Sequence, residues 1–419
     1  MADAPRRLRP DWLDGRTLGA ILGLALTQMT GWGTTYYLPA VLVGPLEADL
    51  RLSREVIFGG VTVMLLVGAV VAPRAGAYIA RNGARAPMVV GSVLLALSLA
   101  VLAGAQGIAT YVLAWAIVGV ALPLGLTQAA VSAMAIIAGP NARRAISALL
   151  LLSGASSSLF WPLTAWLEAN VGWRAACLVF AALNLLVCAP VHAILLRRGA
   201  APAAFAASGS GTPETVAQLS RSERRLAFVL AAIAFSFSGF VTWGLPLHAI
   251  EILKGLGLPA ATAVLLGTLI GPSQIAARLA EVVFGGRAGI LVVGVIAMAV
   301  LPLAVALPLV AETSVAVAAG LMIGYGLSAG AMTIVRSVAP LTLFGRDAYA
   351  VVLGRLAVPQ NIAFALSPML LAAVMSHAGP RATLAVVCAA SVLGFAAMLA
   401  LAKVGTQRGA APVSEEPTS

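Results

Sequence analysis

Residues 288–310 read AGILVVGVIAMAVLPLAVALPLV, a stretch without one charged side chain. A helix rises about 1.5 Å per residue, so about 20 residues cross the ~30 Å hydrocarbon layer of a bilayer. A stretch of this kind predicts a membrane-spanning helix. Barrel strands would instead alternate apolar and polar residues over about 10 positions. Working outward in both directions, eleven further runs have the same character: 18–42, 55–79, 86–105, 109–138, 145–169, 173–196, 224–250, 258–284, 313–342, 348–376 and 379–402. Composition agrees, with 61% hydrophobic and 10% charged residues and a mean hydropathy of +1.00. A soluble domain carries about a quarter charged residues. The expected fold class is an all-α membrane protein with twelve transmembrane helices.

The net charge of +11 could point to nucleic acid, so its location matters. With a cytoplasmic N-terminus, only Arg51, Arg54, Arg174, Lys254 and Arg381 fall in outer segments. Arg74, Arg278, Arg336 and Arg355 lie within spans, and every other Lys and Arg faces the cytoplasm. This is the positive-inside pattern, and it predicts a multi-pass protein of the cell's inner (plasma) membrane with both termini cytoplasmic and no nucleic-acid partner.

Cys177, Cys188 and Cys388 sit in apolar runs without metal-ligand spacing, as small core hydrophobes do. Neither HExxH nor a phosphate-cradling loop occurs, the GxSxG match GLSAG at 326–330 lies within an apolar run rather than at a strand-to-helix elbow, and His is confined to positions 192, 248 and 377. The expectation is a protein that is not an enzyme and needs no metal or cofactor. Repeated pore loops or charge rings, which a channel would need, are also missing.

Residues 199–222, GAAPAAFAASGSGTPETVAQLSRS, break the apolar pattern and read as a cytoplasmic linker. They separate a six-helix bundle at 18–198 from a second at 223–403, with tails at 1–17 and 404–419, the latter expected to be disordered. The halves show weak internal similarity. GWGTTYYLP at 31–39 faces TWGLPLHA at 242–249, and FWPLTAWLEANVGWRAA at 160–176 faces LSPMLLAAVMSHAGPRATL at 366–384, setting Pro162 against Pro368 and Arg174 against Arg381. Near-equal offsets support two pseudo-symmetric bundles around a central cavity.

GAYIARNGARAPMVVG at 76–91 resembles the loop between spans two and three of the major facilitator superfamily, with Gly76, Arg81, Gly83 and Arg85 matching and Ala80 where Asp is usual. The resemblance implies an alternating-access transporter in which this loop has a gating or conformational role. GASSSLFWPLTAWLEANVGWR at 154–174 and the Trp-Gly pair in span one are similar to the monocarboxylate porter and oxalate/formate exchanger branch. The span-four arginine and span-five Gly-Pro signature of many drug exporters are absent.

Such a carrier binds its substrate near the bilayer midplane. The polar residues at that depth are Gln28, Thr30, Gln128, Ser156, Ser157, Ser158, Ser238, Ser273, Gln274, Ser328, Gln360 and Asn361. Most of the serines are expected to satisfy backbone carbonyls or pack helices, whereas amides in lipid need partners, so Gln28, Gln128, Gln274 and Asn361 are substrate-binding candidates.

AMTIVRSVAPLTL at 331–343 sets the permanent charge of Arg336 among apolar residues. An arginine at a helix centre costs about 2.5–3.5 kcal/mol on insertion scales and so faces the protein interior or water. Its planar fork suits a carboxylate. Arg278 is the other cationic candidate and the position most like those that the monocarboxylate porter resemblance implies, but Glu281 one turn away also permits a structural ion pair. Arg355 reads as a gate or a headgroup contact.

Tyr36 could donate to a substrate oxygen or, with Trp32 and Tyr37, belong to the aromatic belt of the interface. Glu281, His248 and Glu251 are the groups able to carry a coupled proton. The sequence therefore predicts a secondary active transporter, a monomer in the bilayer, that moves a small carboxylate-like organic anion coupled to a proton or counter-substrate. The alternative is an exporter of a toxic or amphipathic compound.

Overall fold

A computed structural model describes residues 15–196, 220–284 and 289–406. Most of the predicted linker and most of both tails lie outside these residues. Among the described residues every regular element is helical.

Nine helical stretches among the described residues are long and apolar enough to cross a membrane. Two of them, Arg144–Leu195 with 52 residues and Arg355–Gly405 with 51, would each run to about 77 Å if straight, more than twice the hydrocarbon layer. Each is divided by a glycine in the left-handed region, Gly172 at φ 80° and Gly379 at φ 78°, a backbone angle that side-chain-bearing residues rarely adopt. Two stretches thereby become four spans. Gly15–Gly33, continued after a turn by Pro39–Leu50, completes the expected twelve.

Several spans are interrupted, and side chains take up the carbonyls freed at the breaks. Span four stops at Gly125 and restarts at Thr127 across an extended Leu126. Span eight stops at Gly267 and restarts at Ile270, and the Thr268 carbonyl between them accepts from Ser158 Oγ at 2.6 Å. Span six contains a π turn at Asn184–Cys188 just before Pro190.

The chain forms two compact units. The first comprises residues 15–35, 66–156 and 167–196, packed around Leu24, Met88, Ala133, Met134 and Leu149. Within it Gly91 and Gly125 meet so closely that a methyl on Gly91 would come 2.6 Å from the Gly125 Cα. Small residues of this kind let helices approach in lipid, where packing replaces the hydrophobic drive.

The second unit comprises residues 36–65, 157–166, 220–284 and 289–406. One of its cores gathers Trp161, Leu245, Ile252, Met322, Tyr325 and Leu371, and another Phe235, Met298, Met332, Val335 and Leu401. The unit holds the ends of spans one, two and five that the charge distribution assigns to the outside, here called the outer end. Thr62 Oγ1 donates to Ala365 O at 2.5 Å, and Ser376 Oγ donates to the Glu55 carboxylate. Arg54 bonds Glu47 at 3.0 Å and Glu251 at 3.2 Å, and Lys254 reaches Glu251 at 2.6 Å.

Candidate functional site

The second unit gathers arginines and aromatic rings into one cluster. Arg336 lies in the span-ten stretch Val315–Gly345, and its Nε–H donates to the carbonyl of Met332 one turn earlier at 3.2 Å. The guanidinium carbon lies 5.8 Å from the ring centroid of Phe364 on span eleven, within cation–π range. Phe364 in turn stacks on Trp243 of span seven, at 5.5 Å and 20°. Glycine makes that meeting possible: a methyl on Gly239 would overlap the Phe364 ring.

From Trp243 the rings continue edge to face. Trp243 meets Tyr36 at 5.0 Å, Tyr36 meets Tyr37 at 4.9 Å, and Tyr37 meets Trp161 at 5.7 Å. Hydrogen bonds fix the rings. Tyr36 Oη donates to Trp243 O at 2.7 Å, Tyr325 Oη to Thr242 O at 2.8 Å, and Trp161 Nε1 to Tyr37 O at 3.2 Å. Four helices are thus joined through polar tips and apolar faces.

Arg278 enters from span eight, within electrostatic reach of Tyr37 and Arg336, and Arg336 is within the same reach of Tyr325. Span eight is brought close to span ten by Gly326 and Gly330. A methyl on Gly330 would come 2.6 Å from the Gln274 carbonyl oxygen, one turn before Arg278.

Burial divides the cluster into an enclosed back and an accessible front. Tyr36, Tyr325 and Trp161 are buried, while Arg336, Arg278, Tyr37, Trp243 and Phe364 are half-buried. Arg336 uses only its Nε–H. Among the described residues its two terminal nitrogens make no hydrogen bond, and no carboxylate lies within ion-pair distance of them. A preoriented fork with idle donors, beside aromatic faces, is equipped to hold a planar anion.

The other expected site residues are spread through the fold. Gln28 is buried in the first unit, where Nε2 donates to Gly125 O at 3.1 Å and so caps the span-four break. Gln128 is exposed just past that break, and Asn361 is exposed one turn before Phe364. Gln274 is half-buried on the span-eight face that meets Gly330, and Gln360 donates to its own helix at Leu356 O.

Of the loop expected after span two, Gly76 and Arg81 are exposed residues of the helix Arg54–Asn82, and Gly83 at φ 83° ends that helix with its N–H on Ile79 O. Arg85 Nε donates to Ala193 O at 2.8 Å, fastening the start of span three to the end of span six. Arg355 is exposed. His248 is buried, its Nε2 2.9 Å from Pro368 O and its ring 4.0 Å from that of Phe58. The side chain of Glu281 lies outside the described residues. Several midplane serines satisfy carbonyls, as with Ser158 on Thr268, Ser156 on Ser153 and Ser273 on Leu269.

Sequence reasoning passed over Trp243, Phe364 and Tyr325. A signal existed for Trp243: the internal repeat aligns its Trp-Gly pair with Trp32-Gly33. Phe364 had none, because an aromatic residue in an apolar span is ordinary until Gly239 is known to face it.

A sequence model of the Major Facilitator Superfamily matches residues 43–339. No curated protein sequence matches at a significant level. Among solved structures, the nucleoside transporter NupG superimposes with a TM-score of 0.70 at 16% identity, covering 92% of this chain and 100% of that one. The human organic anion transporter MFSD10 superimposes with a TM-score of 0.60 at 19% identity, covering 93% of this chain and 100% of that one. At such identities the likeness is one of fold.

Proposed function

The chain belongs to the Major Facilitator Superfamily, and from that premise we propose that it is a secondary active transporter of a small organic anion, with Arg336 as the group that holds the anion's carboxylate. The observation that carries this reading is the idle guanidinium fork: Arg336 is anchored through Nε to Met332 O and, among the described residues, uses neither terminal nitrogen. A permanent charge in a span costs about 2.5–3.5 kcal/mol on insertion scales, so a fork left without a protein partner is better explained by a ligand than by structure. Arg278 within electrostatic reach adds positive potential, which attracts anions and repels cations.

Tyr36 acts indirectly in this reading. Its hydroxyl is committed to Trp243 O, so it holds the aromatic wall rather than the substrate. The alternation would move residues 18–198 against 223–403 about the 199–222 linker. The Arg85 bond to Ala193 O supports a conformational role for the loop of Gly76, Arg81, Gly83 and Arg85, with Arg355 gating the same side. A proton or counter-substrate completes the cycle, with His248 and Glu281 as the titratable candidates. We take the protein to be a monomer of the plasma membrane; the charge asymmetry supports its cytoplasmic termini, and the span-five pattern supports the monocarboxylate porter-like branch.

The test is thermal stabilisation of detergent-purified protein by acetate, oxalate, benzoate and the lipophilic cation tetraphenylphosphonium, because a ligand that binds only the native state raises its apparent stability. Stabilisation by carboxylates that disappears in Arg336→Gln is the expected result. Stabilisation by the cation alone would overturn the reading in favour of an exporter.

A further inference from the structure

We propose that the transported anion carries an aromatic ring joined closely to its carboxylate, and that Trp243 and Phe364 select for that ring. The inference rests on Arg336 holding the carboxylate and adds what lies beside it. Phe364 is 5.8 Å from the guanidinium carbon and stacked on Trp243, so an apolar surface of two parallel rings begins where the fork ends. Both rings are half-buried and so keep accessible area, as does Tyr37.

A charge-assisted N–H···O bond spans about 2.8 Å. A carboxylate on the terminal nitrogens therefore carries its first substituent alongside these rings. A one- or two-carbon acid such as formate or oxalate would engage the fork and leave the aromatic surface unused. A planar ring attached to the carboxylate would cover it.

The wall is aromatic and also stiff. An aliphatic pocket adapts to many shapes, whereas here the backbone carrying each ring is pinned: Tyr36 on Trp243 O and Tyr325 on Thr242 O hold span seven, and Thr62 on Ala365 O holds span eleven beside Phe364. Gly239 clears the space that the Phe364 ring occupies. Preset ring faces reward a ligand with a complementary quadrupole, in offset stacking or edge contact, over one that merely fills volume.

The experiment measures affinity in purified full-length protein for four probes: benzoate; cyclohexanecarboxylate, of similar size without a π face; acetate, the charge without a ring; and benzyl alcohol, the ring without a charge. Benzoate is expected to bind about tenfold more tightly than cyclohexanecarboxylate, a factor matching the measured worth of aromatic pairs. Acetate should bind more weakly and benzyl alcohol not detectably. In Phe364→Leu and, separately, Trp243→Leu, the benzoate preference should shrink to about twofold or less, while retained acetate binding shows that the variants are folded.

Equal affinity for benzoate and cyclohexanecarboxylate in the unaltered protein would sink the ring-selecting proposal and leave the carboxylate reading standing. A benzoate preference that survives in both variants would overturn the assignment to this wall. Failure of every carboxylate, acetate included, to bind would remove the Arg336 reading itself.

Discussion

His192 and Arg336 are both polar groups set into apolar spans, one in each compact unit, and they are treated in opposite ways. His192 is buried where spans one, three and six meet. Its Nδ1 lies 3.0 Å from Ser92 Oγ and 3.1 Å from Met88 O, and its Nε2 lies 2.9 Å from Thr27 Oγ1. Both ring nitrogens therefore have protein partners. Arg336 fixes one nitrogen on its own helix and, among the described residues, leaves two without a hydrogen bond. A buried polar group with complete partners acts as structural glue, while one held open is reserved for something that comes and goes.

The sharpest way to break this comparison is to replace both groups. Arg336→Gln removes the charge and the fork but, among the described residues, no hydrogen bond beyond the one to Met332. Anion uptake by reconstituted vesicles should fall about a hundredfold, the upper range for losing hydrogen bonds to a charged group. The melting temperature should stay within about 2 °C. Arg336→Lys, which keeps the charge without the fork, should fall between the two. Retained uptake with a collapsed melting temperature would make Arg336 a structural group like His192.

The reciprocal variant, His192→Leu, should do the opposite. It leaves Ser92, Thr27 and the Met88 carbonyl facing an apolar side chain, a loss of about 2–4 kcal/mol in stability. A clearly lower melting temperature is expected, with flux per folded molecule within about twofold of the parent. A normal melt with abolished flux would mean that His192 takes part in transport.

Much of the fold was legible because lipid enforces it. Hydropathy located the spans, and the unbroken apolar run of residues 288–310 excluded barrel strands, which alternate apolar and polar residues over about 10 positions. Gly172 lies between the predicted spans 145–169 and 173–196 that it divides, and Gly379 is the first residue of the predicted span 379–402. Arg336 and Arg278 were legible for the same reason: a charge in an apolar run is expensive and therefore informative. The aromatic wall was not, because its existence depends on spans seven and eleven meeting at Gly239, a contact no local pattern encodes. Tyr36 was seen as a residue of interest, but the commitment of its hydroxyl to Trp243 O is set by tertiary structure. His192 was visible only as one of three histidines, because Thr27, Ser92 and Met88 are distant in sequence.

Gly239→Ala sharpens the comparison within the site. The added methyl overlaps the Phe364 ring, so the ring must shift or span seven must move away from span eleven. Benzoate affinity is expected to fall about fivefold, from lost ring contact, while acetate affinity holds. An equal fall for both probes would mean that the methyl displaces Arg336 as well, and that fork and wall move together.

The smallest effect belongs to the outer end, where charges are paired but partly wet. Arg54 and Glu47 are each 30% exposed and Glu251 10%, with Lys254 as the fourth member. Exposed ion pairs contribute up to about 1 kcal/mol, and this network owes any larger value to the burial of Glu251. Because it fastens the segment between spans one and two to span seven, Glu251→Gln should weaken closure of this end by about that amount, a roughly fivefold shift toward states in which it is open. Spin labels at Asp49 and Ala378, in a background lacking the three cysteines, would report the shift as a larger long-distance fraction. High salt should reproduce part of it in the parent by screening the exposed members. An unchanged distance distribution in the variant would assign closure to apolar contacts such as that of Tyr37 with Trp161, leaving the ion pairs a positioning role at the rim.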